Sequence, residues 1–305
     1  MATTTDHELM QRLPGSHFCE SACSADSVTL YSIDRCYWAG RTPFCDAVIA
    51  HSPAYGNVLF IDKEIQSSES DEAIYHEHLV HPVLNATSHI REKNVLVVGG
   101  GEGATVREVL KWDRASVASV SWVDIDGPLV DLCRRHLGWA DDSVYSNPRV
   151  RFQARDIIAW LSESNMAFDV IILDLPDPDV AVLSHPVAGN MDMNLYSREF
   201  FNLMKQHLSP RGAIVSHVGP VAPGGDPEER RGGLTWVQKM GREIGLGDGS
   251  PYHVNIPSFQ GEWGFWMSVL PIRGTWPQGL RVMDDTTQSQ AMTWPAYWTT
   301  PFIGH

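Results

Sequence analysis

The segment Leu173-Asp174-Leu175-Pro176-Asp177-Pro178-Asp179 sets three carboxylates close together between prolines. Clustered carboxylates raise one another's pKa, which suits one of them to accept a proton. Together they also attract an ammonium group. A second set of residues implies a different chemistry. Gly99-Gly100-Gly101-Glu102-Gly103, continuing to Ala104, fits the G-x-G-x-x-A fingerprint. Glycines there allow a tight turn and close approach of the backbone to a nucleotide-like ligand. Asp124 follows roughly 20 residues on, where a carboxylate accepts hydrogen bonds from ribose hydroxyls. Asp156, followed by Ile157, ends a third strand-like run. It is placed either to hold an adenine amino group or to cap the helix that follows. Turn and acids together predict a nucleoside site and leave NAD and an adenosyl sulfonium both open.

Groups this far apart in sequence need a scaffold that gathers them at one edge. From Asn94 onward, strand-like runs alternate with helical ones. Val95–Val98, Ser119–Val123, Arg149–Phe152, Asp169–Leu173 and Ala213–Ser216 read as strands, with helices near 104–111, 128–136, 157–163 and 197–208. That alternation predicts a parallel sheet covered on both faces. The runs at Val95 and Val170 are continuously apolar, as buried parallel strands are. Ahead of them, Val28–Ile33 alternates, and Asp46–Ala50, Val58–Ile61 and Glu64–Gln66 are short and strand-like, separated by turns. They predict antiparallel hairpins, followed by a helix over 72–84. The expected organisation is a weakly ordered segment (1–25), a β-hairpin domain with its linking helix (26–85) and a nucleoside-binding domain (86–305).

Composition narrows the partners. With 23 basic and 37 acidic residues the net charge is −14, which suits a cationic small molecule and opposes nucleic-acid binding. The cysteines, Cys19, Cys23, Cys36, Cys45 and Cys133, are odd in number and argue against a secreted disulfide framework. His17, Cys19 and Cys23 resemble half a metal site, but no second half follows, so no metal is expected. The polar start lacks a signal-peptide core and no long apolar run follows. The expectation is a cytoplasmic protein with no membrane partner.

Several motifs in order resemble the spermidine synthase family of polyamine aminopropyltransferases. They are Val58–Glu77 with Gln66, Tyr75 and His76; Val97–Gly103; Val123–Asp126; Asp174–Pro178; and Leu195–Ser197. The Gly-Gly-Gly-Glu-Gly turn, Tyr75-His76, Cys133-Arg134-Arg135 and Ile256–Phe259 look most similar to thermospermine synthases. The resemblance implies an α/β fold: a methyltransferase-like Rossmann domain with a small N-terminal antiparallel β domain, assembled as a homodimer or homotetramer. It implies decarboxylated S-adenosylmethionine as co-substrate, an amine as acceptor, methylthioadenosine as leaving group and no metal. By the same resemblance Asp174 is the base, Tyr75 orients the attacking nitrogen, and Asp177, His217 and Phe259 face the amine. Glu102 and His76 bind the donor's amino tail. Gln66 and Asp124 lie by its sugar or sulfonium, Asp156 and Ile157 by the adenine, and Gly99, Gly101 and Gly103 form the cradle.

Some positions depart from the family pattern. Cys45 precedes Asp46 where Gln is usual, Ser70 replaces an Arg, His217 replaces a Gln and Phe259 a Tyr. The 179–194 loop, with His185, Pro186, Gly189 and Asp192, is longer than expected and suggests a lid over an altered acceptor. Two other readings therefore stay open. One is transfer of a methyl or 3-amino-3-carboxypropyl group from S-adenosylmethionine itself; the other is a non-catalytic nucleoside- or polyamine-binding protein.

Overall fold

The computed structural model describes residues 17–20, 28–178, 195–221 and 232–295. The first 16 residues and the 179–194 loop lie outside the described residues, and with them the expectations of a weakly ordered start and a lengthened lid. Strands β1 (His17–Glu20) and β2 (Thr29–Ser32) form an antiparallel pair. Strands β3 (Arg35–Arg41), β4 (Asp46–Ser52), β5 (Gly56–Ile61) and β6 (Glu64–Ser68) form an antiparallel meander. The β5–β6 turn is two residues long, with Asp62 at φ 50° and Lys63 at φ 76°. Those left-handed conformations match the twist of a tight hairpin.

The alternation along β4 serves two interfaces. Ala47 and Ile49 pack with Leu129, Leu132 and Cys133 of a later helix, whereas Val48 and Ala50 pack with Phe18 and Tyr31. The small sheet is therefore buried on both faces. Strand β3 escaped the sequence reading because it is half-exposed and shows no clear alternation of burial.

Helix α1 (Glu72–Ala86) links this sheet to a larger one. The larger sheet contains β7 (Lys93–Gly99), β8 (Val117–Asp124), β9 (Val150–Ala154), β10 (Phe168–Asp174), β11 (Leu208–Pro220), β12 (Ser250–Ile256) and β13 (Gly261–Met267), in the order β12-β13-β11-β10-β7-β8-β9. The five strands from β9 to β11 are parallel, and β13 is antiparallel to both its neighbours. The intervening helices are α2 (Ala104–Leu110), α3 (Gly127–His136), α4 (Asp142–Tyr145), α5 (Ile157–Ser162), α6 (Arg198–Gln206), α7 (Gly232–Glu243) and α8 (Asp285–Ala291).

Period-two alternation splits β7 between two layers. Val95 and Val97 pack in the layer of α1 and α2, and Leu96 and Val98 in the layer of α6 and α7. The chain runs outward from β7 through β8 to β9, then returns with β10 on the other side of β7. Gly99 and Asp174 are register partners at the carboxyl ends of β7 and β10. That reversal of strand order opens the crevice where ligands bind in such sheets. The expected α/β architecture with a preceding antiparallel sheet is what the chain forms. The antiparallel β12–β13 addition was not foreseen, because Ile256–Phe259 stood out only as a motif. Among the described residues no helix is long and apolar enough to cross a membrane.

Candidate active site

A cavity of about 930 Å³ lies between the carboxyl ends of β7–β10 and the β5–β6 hairpin. Asp174 lines it. The Tyr75 hydroxyl, from α1, donates to Asp174 Oδ1 at 2.7 Å, and the Thr105 hydroxyl, from the first turn of α2, donates to Oδ2 at 2.5 Å. Both carboxylate oxygens are thereby oriented, with Asp174 still on the cavity wall. Burial, and then the Asp174 charge, holds the Tyr75 phenol well above its usual ionisation range, so it acts as a donor. Thr105 was not foreseen; it has no motif spacing and meets Asp174 only because β10 lies beside β7.

The glycine turn is bound to the same carboxylate strand. Gly100 N donates to the Asp174 carbonyl at 2.9 Å, and the Trp122 indole donates to the Gly99 carbonyl at 2.9 Å. Gly99 has φ 80°, and a Cβ there would lie 2.0 Å from the Asp174 carbonyl oxygen. No side chain fits. Gly99→Ala is expected to destabilise the fold by at least ~2 kcal/mol, from left-handed strain plus overlap, and to abolish nucleoside binding. Thermal unfolding and equilibrium titration with methylthioadenosine check both effects. Gly99 and Gly101 line the cavity as expected and Gly100 joins them, whereas Gly103 faces Ala140 and Tyr145 and caps α2.

Asp124, Asp156 and Ile157 line the opposite end. Burial pushes the Asp124 carboxyl up to about 6, although the Asp126 backbone N–H, at 2.8 Å, stabilises its charge. Asp156 caps α5, accepting from Ala159 N at 2.8 Å. The two sequence readings of this residue are compatible, because the capping carboxylate remains on the cavity wall. Gln66, Phe259 and Trp263 close the hairpin side. The aromatic pair is held with ring centroids 4.7 Å apart. Asp71 fixes that corner: its carboxylate accepts from Ser258 N at 2.7 Å and from the Ser258 hydroxyl at 2.9 Å.

The spermine/spermidine synthase domain family matches residues 72–271, most of the described chain. A polyamine aminopropyltransferase 2 of Hyperthermus butylicus is 35% identical over 84% of this chain and 78% of its own length. The thermospermine synthase ACAULIS5 of Arabidopsis thaliana is 31% identical, over 88% of this chain and 74% of its own. The chain belongs to the spermine/spermidine synthase family. A polyamine aminopropyltransferase 2 of Pseudomonas aeruginosa is 35% identical over 77% of this chain, but the match spans only 62% of that relative. The fold agrees with a solved spermidine synthase in complex with the transition-state analogue AdoDATO, with a TM-score of 0.78, 21% identity and coverage of 94% of each chain.

Within this family member, His76 is placed differently from the sequence expectation. It does not line the cavity: it is fully buried behind Glu102, with Nε2 3.1 Å from Glu102 Oε1 and Nδ1 3.1 Å from Glu72 Oε2. Burial opposes a charge on this imidazole, but the two carboxylates outweigh it and lift His76 to about 10. The imidazolium therefore orients Glu102, and Glu102 alone of the two reaches the cavity. Behind them Arg107 bridges Glu72 and Glu108 at 2.7 Å each, and Arg281 also contacts Glu72. His81 accepts at Nδ1 from the Trp112 indole (3.0 Å), so its Nε2 carries the hydrogen donated to Glu108 at 2.9 Å. Sequence reading missed this network, whose members are far apart in the chain.

Among the described residues no group of three or more His, Cys, Asp or Glu is arranged to hold a metal ion. Cys45, at a departure from the family pattern, lies at the cavity edge beside Thr42 and Asp126. Burial pushes its thiol up to about 12, which leaves it a neutral packing group.

Proposed function

We propose that the protein transfers the aminopropyl group of decarboxylated S-adenosylmethionine to an amine and releases methylthioadenosine. The observation that carries this reading is Asp174, held through both oxygens by Tyr75 and Thr105 at the seam of β7 and β10. An alkylammonium ionises near ~10, so an attacking nitrogen needs a base at hand. In the proposed reaction Asp174 takes one proton from the ammonium. The freed nitrogen lone pair attacks the methylene beside the sulfonium, the carbon–sulfur bond breaks, and its electron pair leaves with neutral methylthioadenosine. Holding nucleophile and electrophile together supplies much of the remaining rate.

The charge of the cavity favours two cationic substrates. Among the described residues nine carboxylates line it (Glu20, Asp62, Glu64, Glu102, Asp124, Asp126, Asp156, Asp174 and Asp177), against one guanidinium, that of Arg155. Arg155 is engaged with Glu163 at 2.8 Å. A donor that kept its carboxylate would bring it beside Glu102, and the His76 imidazolium paired with Glu102 lies behind it, off the cavity wall. Asp177 is read as the group that holds the amine, Gln66 and Asp124 as contacts to the donor's sugar or sulfonium side, and Asp156 with Ile157 as the adenine wall. The family relationship and the analogue-bound neighbour in fold are consistent with this reading.

Incubation with S-adenosylmethionine or its decarboxylated form, each with a panel of amines, tests it by product mass. Methylthioadenosine and an aminopropylated amine are expected from the decarboxylated donor alone, with at least ~100-fold preference, about the penalty of one unpaired buried charge. Adenosylhomocysteine would replace this reading with methyl transfer, and methylthioadenosine from the carboxylated donor would replace it with carboxypropyl transfer. Assembly as a homodimer or homotetramer is proposed on the family resemblance, and light scattering measures it directly.

A further inference from the structure

Strand β11 brings an imidazole against the carboxylate read as holding the amine. The register of β11 with β13 shifts between His217 and Gly219. Gly219, at φ 80°, brings its backbone against Asp177; a Cβ there would lie 3.3 Å from the carboxyl carbon. His217 is turned inward and its side chain is 4% exposed. Its Nε2 donates to the Leu175 carbonyl, which fixes the hydrogen on that nitrogen. Among the described residues its Nδ1 has no hydrogen-bond partner, and it lies 3.4 Å from Asp177 Oδ1.

That arrangement constrains the protons. A neutral imidazole with its hydrogen on Nε2 would turn the Nδ1 lone pair toward a carboxylate oxygen. Away from water, two facing lone pairs repel. One proton between them removes the conflict, as imidazolium with carboxylate or as imidazole with carboxylic acid, and either form is neutral overall. Among the described residues, the other groups facing the pair do not replace that proton. Tyr75 on α1 has its ring 5.8 Å from that of His217. Tyr196 before α6 and Glu64 on β6 both feel the Asp177 charge, and Asp174 lies at the end of the adjoining strand. None of these is a cation. Burial raises the Asp177 carboxyl, with the neighbouring His217 opposing, in keeping with a proton held close by. The Asp177 side chain nevertheless keeps 37% of its surface open, so it is available to a ligand.

We propose that His217 and Asp177 share one proton that must leave before an ammonium group can settle on Asp177, so that amine capture is coupled to proton release. This rests on the reading of Asp177 as the amine-holding carboxylate. The balance is one ammonium in and one proton out to solvent, leaving neutral His217 beside an Asp177 carboxylate paired with the amine. His217 is a positioning residue in this scheme. A terminal alkylammonium keeps its charge between about pH 6 and pH 8, so pH dependence of putrescine binding there comes from the protein. One linked proton tightens binding by up to tenfold per pH unit.

Calorimetric titration with putrescine and with spermidine, in the presence of methylthioadenosine and in two buffers of different ionisation heat, counts the protons. The wild-type protein is expected to release close to one proton per amine bound. His217→Gln, which keeps a donor for Leu175 but has no titrating group, is expected to release none, and so is Asp177→Asn. Amine binding by the wild type without proton release overturns the shared proton, and so does equal release by His217→Gln. Either result leaves aminopropyl transfer standing, because product mass measures that separately. Failure of both amines to bind, with methylthioadenosine still bound, overturns the pair and the reading of Asp177 together.

Discussion

Asp174→Asn is expected to lower kcat by about three orders of magnitude, within the range for loss of a general base, while the Kd for methylthioadenosine changes less than about threefold. The asymmetry follows from the geometry. The proposed nucleoside cradle is the Gly99–Gly101 backbone with the Asp124 carboxylate, and the Asp174 charge acts on Asp124 less than burial does. The turn is fixed to residue 174 through its carbonyl, by Gly100 N at 2.9 Å, and this bond survives the substitution. What the substitution removes is the proton acceptor between the Tyr75 and Thr105 hydroxyls. Tyr75→Phe should cost less, about 10- to 100-fold, because Thr105 still holds the second oxygen. Single-turnover rates with a saturating amine, beside equilibrium nucleoside titration, separate the two quantities. Comparable losses of nucleoside affinity and rate in Asp174→Asn would mean that residue 174 supports the cradle and not the proton transfer.

The legible part of this site is the part written locally. The glycine turn and Asp174 follow strands with continuous apolar runs, Asp124 and Asp156 follow strands legible from the β-α alternation, and the parallel order brings those ends to one edge. The short strand-like runs at 46–50 and 58–61 and the return at Asp62-Lys63 were likewise readable as a hairpin sheet. What the sequence did not disclose depends on approach between distant elements. Thr105 reaches Asp174 because α2 starts beside β10, and nothing in the spacing of 105 and 174 announces that. His76 looked like a ligand-binding neighbour of Tyr75, but consecutive helical residues point in different directions. Tyr75 therefore faces the cavity while His76 faces Glu72 and Glu102. The β12–β13 hairpin was obscured for another reason: it joins a parallel sheet as an antiparallel edge, outside the β-α alternation that exposed the other strands.

The buried charge network behind Glu102 should dominate the stability of the fold. Glu72 has a side chain only 2% exposed and is surrounded by His76, Arg107 and Arg281. Removing one partner from such a group leaves a buried charge uncompensated, at a cost of about 3–5 kcal/mol. Arg107→Met is therefore expected to cost that much, because Glu72 and Glu108 both lose their shared guanidinium. The same network sets the pH profile. His76 is raised from its ordinary value of 6.5 to about 10 in the folded state. Its contribution is complete below the unfolded value and is lost as pH rises through the folded one. Stability should thus decline between about pH 6.5 and pH 10, by about 5 kcal/mol at most. Glu72 is held well below its ordinary value of 4.5: burial opposes its charge, but hydrogen bonds from His76 and Arg107 prevail. Its contribution is present above 4.5 and lost on acidification. The two limbs describe one contact from opposite sides and do not add. Urea unfolding across this range should give a plateau between them. His76→Gln should lower the plateau and flatten the alkaline limb. An alkaline decline as steep in His76→Gln as in the wild-type protein would assign that limb to another group and leave Glu102 oriented by hydrogen bonding without an imidazolium.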